Sequence, residues 1–254
     1  MTDARAPRIR LDALLVQRGL ASSRERARAL ILAGDVSLPG TPGAPKPGQT
    51  VRADVVVQLR QPDHPYVGRG ALKLAHALDA FGIAVEGRTA LDIGASTGGF
   101  TDVLLRRGAR HVVALDVGHN QMDWRLRSDP RVSCLERINA RHLVPDDLPE
   151  AHRRFDIVTA DVSFISLRYI LPVVPPLLRE GADVVTLVKP QFEAGRDEVG
   201  RHGIVRDQGV RERVLAEVIE AAAGVGLVAV AHTDSPIEGM QGNREWLAHF
   251  RSRA

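Results

Sequence analysis

The sequence predicts an α/β fold with a mostly parallel sheet of seven strands, preceded by a small α+β domain. Three observations support this prediction. From residue 89 onward, short apolar runs alternate with amphipathic segments, a pattern typical of strands joined by crossover helices. Several apolar runs end in a charged side chain, and a glycine-rich turn follows the first of them. The residues before position 68 show a different pattern, with short helices and short strands.

Composition excludes several classes of protein. The chain has 254 residues, of which 44% are hydrophobic and 26% charged, as expected for a globular protein with an ample core. Cys134 is the only cysteine, so an intrachain disulfide is impossible and a reducing compartment is expected. The nine histidines show no paired metal-ligand spacing, so no metal is predicted. There is no signal-peptide pattern, and the longest apolar stretch, Ala221–Ala231, is too short to span a bilayer. We therefore expect a cytoplasmic protein without membrane attachment.

The seven predicted strands place polar residues along one edge of the sheet. They are expected at Thr89–Ile93, His111–Asp116, Arg131–Leu135, Phe155–Asp161, Ala182–Lys189, Leu227–His232 and Asn243–Phe250, with a helix at Val210–Ala223. Ligands of open α/β sheets bind beyond the carboxyl ends of the parallel strands. Asp92, Asp116, Asp161 and Lys189 occupy such ends. If the last strand runs antiparallel, Glu245 at its start reaches the same edge.

The stretch Thr89–Asp102 (TALDIGASTGGFTD) carries the strongest functional signal. Its glycines let the backbone turn sharply and approach a ligand, although any tight strand-to-helix turn also favours glycine. Position 96 is serine, so the dinucleotide pattern G-x-G-x-x-G fails. Gly99 is followed by Phe100, so the Gly-Lys-Ser/Thr of a P-loop is missing. The pattern D-x-G-x-x-x-G-G instead resembles the S-adenosylmethionine (SAM) loop of methyltransferases.

A second acid supports SAM as the cofactor. Asp116, at the end of the second strand, can accept hydrogen bonds from both ribose hydroxyls, as the second-strand acid does in dinucleotide folds. A loop at Asn139–Ala140 is a candidate for contact with adenine. Thr97 or Thr101 is the predicted cap of the helix after the glycine loop. The predicted cofactor-binding residues are Asp92, Gly94, Ala95, Ser96, Thr97, Gly98, Gly99, Asp116, Asn139, Ala140 and Asp161.

The first 60 residues predict an RNA-binding domain. Helices are expected at Arg8–Leu20 and at Arg24–Ala33, the second capped by Ser22 or Ser23, and strands at Val36–Leu38 and Val51–Leu59. This order resembles the small RNA-binding domain named after ribosomal protein S4. Its arginines would bind the RNA backbone, and a merely solvated helix surface that includes Glu25 is the competing interpretation. The candidate RNA-binding residues are Arg8, Arg10, Arg24, Arg26 and Arg28.

The domain limits follow from these patterns. We expect the small domain at 1–60, an extended proline-flanked linker at 61–67, and the larger domain at 68–254. Lys73 lies on a helix at the start of the larger domain, just before its first strand.

Four of the charged residues resemble the Lys-Asp-Lys-Glu tetrad of the FtsJ-like RNA ribose 2′-O-methyltransferases. They are Lys73, Asp161, Lys189 and Glu245. The chain resembles the TlyA, or hemolysin-A-like, branch over nearly its whole length. The motifs that carry this resemblance are GRGALKLAHAL, LDIGASTGGFTD, ADVSFISL, LVKPQFE and SPIEGMQGNREW. Gly68 and Ala71 depart from the serine and glycine common there, but neither belongs to the tetrad. The resemblance implies a Rossmann-like methyltransferase domain, SAM as cofactor, and methylation of a cytidine 2′-hydroxyl in ribosomal RNA or ribosomal subunits.

The residue types of the tetrad fit that reaction. The SAM methyl group is already reactive, so the protein must position and deprotonate a weakly acidic hydroxyl. Only three of the 34 lysine and arginine residues are lysine, which indicates that Lys73 and Lys189 do what arginine cannot. We predict that Lys189 is the base, that Lys73 and Asp161 orient it, and that Glu245 positions Lys73 or the ribose. A nearby cation disfavours a charged amine and a nearby acid favours it, so the residue types leave that balance open.

Three other functions are weighed against this one. A small-molecule methyltransferase would share the SAM loop but has no use for the N-terminal domain. A non-catalytic ribosome-assembly factor would keep that domain but would not need the tetrad. A membrane-active hemolysin requires a secretion signal or an amphipathic insertion segment, and neither is apparent in the sequence.

Overall fold

The computed structural model describes residues 6–21, 23–32, 34–59, 64–239 and 242–252. The chain forms two compact units, Met1–Pro65 and Tyr66–Ala254. The division falls within a run of bends at residues 65–68, which do not continue the extended conformation expected of the linker. Residues 61–63 of that linker lie outside the described residues.

The N-terminal unit contains two helices and two small antiparallel sheets. Its elements are β1 (Arg8–Arg10), α1 (Leu11–Gln17), α2 (Arg24–Leu32), β2 (Val36–Ser37), β3 (Thr50–Arg52) and β4 (Gln58–Leu59). Strand β1 pairs with β3, and β2 pairs with β4. The helices bury Ile31 and all of their leucines except the exposed Leu32 against Val36 and Val51, so the apolar spacing in the sequence does mark the core of this unit.

Two element boundaries predicted in this unit are wrong. The helix expected from Arg8 begins at Leu11, because the three residues before it pair with β3. The strand expected over Val51–Leu59 is divided into β3 and β4, which belong to different sheets. The chain turns between them, where the Val55 N–H donates to the Arg52 carbonyl at 3.1 Å.

One of the two alternative caps of helix α2 is described. The Ser23 hydroxyl accepts the Arg26 N–H at 3.1 Å, which satisfies one free donor of the first turn. Ser22, the other candidate, and Ala33, the expected last residue of the helix, lie outside the described residues.

The C-terminal unit is a seven-stranded sheet with helices, as the sequence predicts. Its elements are α3 (Gly70–Phe81), β5 (Thr89–Ile93), α4 (Gly99–Arg106), β6 (His111–Asp116), α5 (Trp124–Arg127), β7 (Val132–Glu136), β8 (Phe155–Ala160), β9 (Leu178–Val188), α6 (Pro190–Glu193), α7 (Gln208–Gly224), β10 (Leu227–Asp234) and β11 (Trp246–Ser252). The strand order is β10-β11-β9-β8-β5-β6-β7. Strand β11 is antiparallel to both neighbours, and the strands from β9 to β7 are parallel.

The central strands are mostly apolar because they are buried on both faces. All five residues of β5 are buried, because helices and loops cover both faces of a parallel sheet. The apolar residues form two clusters, one of which contains Leu91 and the other Ala90. Since neighbouring residues of a strand point to opposite faces, these clusters are the two layers that enclose the sheet. The connection from β8 to β9 contains three short 3₁₀ turns at residues 167–177, where prolines interrupt regular helix.

The last strand starts later than the sequence predicts. Residues Asn243–Glu245 precede β11, because the Asn243 side chain holds a neighbouring loop instead of joining the sheet. Its Nδ2 donates to the Gly203 carbonyl at 2.7 Å, and its Oδ1 accepts the Val205 N–H at 2.9 Å. The antiparallel direction of β11 is as predicted, so Glu245 lies at the carboxyl edge of the parallel strands.

Candidate active site

The glycine loop after β5 packs directly on the loop after β8. Gly94 has a φ of 82°, and a Cβ atom there would lie 2.6 Å from the carbonyl oxygen of Asp161. Only glycine permits both this left-handed conformation and this close approach. The Gly94 and Ala95 N–H groups both donate to the Leu115 carbonyl, at 2.9 and 3.1 Å. The sequence therefore brings the loop to the carboxyl ends of three adjacent strands.

Asp92 supports this loop from within the protein. It is fully buried, and its carboxylate accepts the Thr101 hydroxyl at 2.7 Å and the Thr159 hydroxyl at 2.9 Å. Burial raises the pKa of Asp92 to about 6, although the two hydroxyl hydrogen bonds oppose that shift. The predicted caps are wrong: Thr101 bonds Asp92, and the N-cap of α4 is Gly98, which has no side chain to accept a hydrogen bond.

Two cavities adjoin at the carboxyl edge of the sheet. The first has a volume of about 480 Å³ and contains Asp116, Asn139 and Ala140 in its wall. The second, of about 450 Å³, contains Ala95, Thr97 and Gly99. Residues lining both cavities are Gly94, Ser96, Asp161, Ser163 and Phe164.

Two of the predicted cofactor-binding residues line neither cavity. Asp92 lies beneath the loop, and a side chain at Gly98 would collide with Leu126, so this glycine packs against α5. The structure does not place either one for direct contact with a ligand in the cavities. Both instead shape the backbone that the remaining loop residues present.

Asp116 lies in the wall of the first cavity, with both carboxylate oxygens already engaged. One oxygen accepts the Ser96 N–H at 2.9 Å and the other accepts the Gly118 N–H at 2.6 Å. A carboxylate has roughly four acceptor positions, so each oxygen keeps capacity for a further donor. The two backbone bonds fix the direction in which that capacity points.

All four predicted tetrad residues line the second cavity, where they form two ion pairs. Lys73 Nζ lies 2.5 Å from Glu245 Oε2, and Lys189 Nζ lies 2.6 Å from Asp161 Oδ1. Lys73, Lys189 and Glu245 are buried, and Asp161 is partly exposed. Helix α3, the ends of β8 and β9 and the start of β11 each contribute one residue, so four distant segments meet at one place.

Several neighbours of the tetrad were not predicted from the sequence. Lys189 Nζ also donates to the Ser163 hydroxyl at 2.8 Å. Buried Glu193 accepts the Ser166 hydroxyl at 2.6 Å and the Leu167 N–H at 2.7 Å, and burial raises its pKa. These bonds connect the loop after β8 with the loop after β9. The motifs ADVSFISL and LVKPQFE contain these residues, but nothing in the motifs shows which side chains meet.

The candidate RNA-binding arginines of the N-terminal unit have unequal surroundings. Arg10 donates to the buried Asp12 carboxylate at 2.7 and 3.1 Å, and Arg24 lies 3.4 Å from the same group. The Arg10 hydrogen bond is the main cause that lowers the pKa of Asp12 to about 2. Arg26 contacts the His64 ring at 3.3 Å.

The other two candidates, Arg8 and Arg28, are exposed. Arg8 donates to the Thr50 carbonyl at 3.0 Å. Arg28 is exposed and makes no side-chain hydrogen bond to any residue that the structure describes. The five arginines therefore do not form a uniform row of free cations, because one carboxylate neutralises part of the charge of Arg10 and Arg24.

Two kinds of feature are absent from the described ranges. Within those ranges, no group of three or more His, Cys, Asp or Glu residues could hold a metal ion. No helix within them is both long enough and apolar enough to cross a bilayer.

Comparison with known proteins identifies two families in the chain. Residues 66–252 match the FtsJ-like methyltransferase model, and residues 9–41 match the S4 domain. The 16S/23S rRNA (cytidine-2′-O)-methyltransferase TlyA of Mycobacterium tuberculosis is 48% identical over 98% of this chain and 91% of its own length. Hemolysin A of Brachyspira hyodysenteriae is 43% identical over 95% of this chain and 99% of its own.

A solved structure agrees with these matches over the same extent. The structure of a candidate hemolysin from Streptococcus thermophilus has a TM-score of 0.76 at 43% identity, and the match covers 97% of this chain and 89% of that one. The resemblance predicted from the motifs is thereby confirmed, together with the α/β fold and the N-terminal S4 domain. The chain belongs to the FtsJ-like methyltransferase family, in its TlyA branch.

Proposed function

We propose that this protein is a SAM-dependent RNA methyltransferase that modifies a ribose 2′-hydroxyl of ribosomal RNA, at a cytidine. The observation that carries the proposal is the meeting of two lysine–carboxylate pairs on one cavity, beside a second cavity that contains Asp116. The identity with TlyA, named for cytidine 2′-O-methylation of 16S and 23S rRNA, supports the choice of substrate.

The first cavity fits the nucleoside part of SAM. Its volume is in the usual range for small-molecule sites, and its wall combines apolar residues with a few polar groups. Asp116 keeps acceptor capacity for ribose hydroxyls, and Asn139–Ala140 provide a wall for the base. When bound, SAM supplies an electrophilic methyl group.

The residues of the second cavity would hold the ribose and take its proton. In the proposal, Lys189 Nζ in its uncharged form accepts the proton of the 2′-hydroxyl, which makes the ribose oxygen a nucleophile. Bound SAM would supply the methyl group to that oxygen and would keep the electron pair of the methyl–sulfur bond on its sulfur. The short contacts of Nζ with Asp161 and Ser163 fix its position. Lys73 pairs with Glu245, which favours the prediction that Glu245 positions Lys73 rather than the ribose. The burial of three of these side chains limits the access of water.

The N-terminal unit would bind the RNA substrate. Its match to the S4 domain and its arginines support this assignment. Arg28 is exposed and so available to a phosphate, and the Asp12 carboxylate holds Arg10 and Arg24 in fixed positions. An enzyme of ribosomal RNA would act in the cytoplasm, where ribosomal subunits are assembled.

The test is methyl transfer to defined RNA. The full chain is incubated with methyl-labelled SAM and with unmodified 16S and 23S rRNA, and ribose methylation is mapped nucleotide by nucleotide. We expect label on the 2′-oxygen of one or a few cytidines. Label on a base, or no label with either RNA or with intact ribosomal subunits, would refute the proposed function.

A further inference from the structure

A third cavity lies beside the second and is rich in arginine. Its volume is about 380 Å³, and Glu238 lines both cavities. Its three arginines outnumber the one acid in its wall. The arginines are Arg206, Arg211 and Arg244, and the acid is Glu238.

Arg211 is a buried cation with a fixed orientation. Only 5% of its surface is exposed, and its guanidinium group lies 5.5 Å from the centre of the Trp246 ring. One terminal nitrogen donates to Gln208 Oε1 at 2.6 Å, and the other lies 3.5 Å from the exposed Asp234 carboxylate. Its Nε has no hydrogen-bond partner among the described residues. The protein therefore places a pre-oriented positive charge in the wall of the cavity.

Arg206 and Arg244 add two exposed cations to the same wall. Neither side chain forms an ion pair or hydrogen bond with any residue in the described part of the chain. Some other surface arginines do form ion pairs: Arg213 pairs with two glutamates, and Arg131 pairs with Asp129. The charge of this cavity is thus left available to a ligand.

We propose that the third cavity binds a phosphodiester of the RNA chain next to the nucleotide that is methylated. The inference rests on the proposed function, because a ribose held at the tetrad carries a phosphodiester on each side. Guanidinium groups match phosphate oxygens in charge and geometry. Such contacts fix the position of an RNA without reading its sequence. The cavity adjoins the tetrad cavity through Glu238, so a phosphate bound there sets where the ribose enters.

The first test uses the double variant R206Q/R244Q of the full chain. Arg211 is left unchanged, because it packs on Trp246 and its loss would disturb the sheet. The matched control is R153Q/R154Q, which removes two exposed arginines before the start of β8, at the opposite edge of the sheet. Binding to unmodified 16S and 23S rRNA transcripts is measured as a function of salt.

We expect R206Q/R244Q to bind RNA about 10-fold more weakly or worse. The slope of log K against log salt should flatten by roughly 0.7–0.9 for each of the two arginines removed. SAM binding should not change. A slope equal to that of R153Q/R154Q would overturn the proposal, and it can be measured whether or not methyl transfer occurs.

The second test locates the phosphate. A neutral methylphosphonate replaces, one at a time, the phosphates on either side of the methylated cytidine in an RNA fragment. One of the two replacements should weaken RNA binding by the natural chain and by R153Q/R154Q. The same replacement should not further weaken RNA binding by R206Q/R244Q, which already lacks the two arginines. An equal penalty in all three proteins would place the phosphate elsewhere. If the natural chain methylates RNA while these results fail, only the phosphate site is refuted.

Discussion

The seven-stranded sheet buries charged side chains at two edges, one formed by the carboxyl ends of its parallel strands and the other by their amino ends. The two edges use different cations. At the carboxyl edge, Lys73 and Lys189 pair with Glu245 and Asp161 on a cavity. At the amino edge, the buried carboxylate of Asp183 accepts hydrogen bonds from two arginines and a histidine. Arginine stays charged at any usable pH, whereas lysine can give up its proton. This difference agrees with the proposed function, because a fixed charge suits arginine whereas a proton acceptor requires a group such as lysine.

The amino-edge cluster is built to keep one anion. Asp183 accepts from His249 at 2.8 Å, from Arg251 at 2.9 Å and from Arg88 at 2.8 Å. Burial opposes the charge, but the three hydrogen bonds outweigh it and hold the pKa of Asp183 well below its usual range. These donors join β9 to β11 and to the start of β5, so the cluster should act on stability.

The largest expected effect is on the carboxyl edge. Replacing Lys189 with Arg keeps the positive charge but removes a group that can accept a proton. If Lys189 is the base, methyl transfer should fall by about 10²–10⁴-fold, while SAM and RNA binding stay near normal. Single-turnover rates and calorimetric SAM affinities would measure the two properties separately.

Lys46→Arg is the matched control for that substitution. Lys46 is an exposed lysine in the N-terminal unit, so its replacement should be nearly silent. If Lys189→Arg keeps more than about a tenth of the activity, the lysine acts only as a fixed charge and the contrast between the two edges fails.

On the amino edge, Asp183→Asn should lower the free energy of unfolding by about 2–3 kcal/mol at neutral pH. The expected loss of stability is smaller than for a fully buried ion pair, because Arg88 is partly exposed and Arg251 is exposed. The rate of methyl transfer, measured well below the unfolding midpoint, should change little. Urea unfolding and a rate assay on the same sample would show whether the two edges are independent.

The same variant should reveal a dependence on pH. A carboxyl whose folded pKa lies below its unfolded value stabilises the fold above pH ~4, and that stabilisation is lost as the pH falls further. The stability difference between the natural chain and Asp183→Asn should therefore shrink between neutral pH and pH ~3. A constant difference over that range would show that the charge of Asp183 is not what stabilises the edge.

Asp116→Ala should affect the cofactor but neither edge cluster. Loss of one or two charge-assisted hydrogen bonds should weaken SAM binding by roughly 1.5–3 kcal/mol each. The Ser96 and Gly118 N–H groups also lose their acceptor, so the glycine loop should become less ordered. Calorimetry with SAM, and with NAD as a ligand expected not to bind, would test this. Asp146→Ala, at an exposed acid, is the control, and equal SAM affinities would remove Asp116 from the site.

The smallest effect is expected in the N-terminal unit. Replacing Arg24, Arg26 and Arg28 with Gln should flatten the salt dependence of RNA binding by roughly 0.7–0.9 for each phosphate that an arginine no longer neutralises. Arg24 shares Asp12 with Arg10, so its contribution should be smaller than that of Arg28. SAM affinity should not change. An unaltered slope would mean that these arginines are only solvated surface.

Most strands of the C-terminal unit, the order of the two domains and the four residues that meet at the second cavity could be predicted from the sequence. Strand β6 was predicted to the residue, because a continuous apolar run that ends at an acid is a local signal. The reversed direction of β11 was also predicted, and with it the position of Glu245. The scarcity of lysine in the sequence pointed to Lys73 and Lys189 before any distance was known.

Which of these residues are partners depends on the fold. Lys73 and Glu245 are 172 positions apart, and no periodicity in the sequence shows that they pair with each other. The same holds for Asp92, which turns inward to two threonine hydroxyls although its place at a strand end suggested a ligand contact. Periodicity reports which face of an element is buried, whereas the direction of a polar side chain depends on donors that distant segments bring to it.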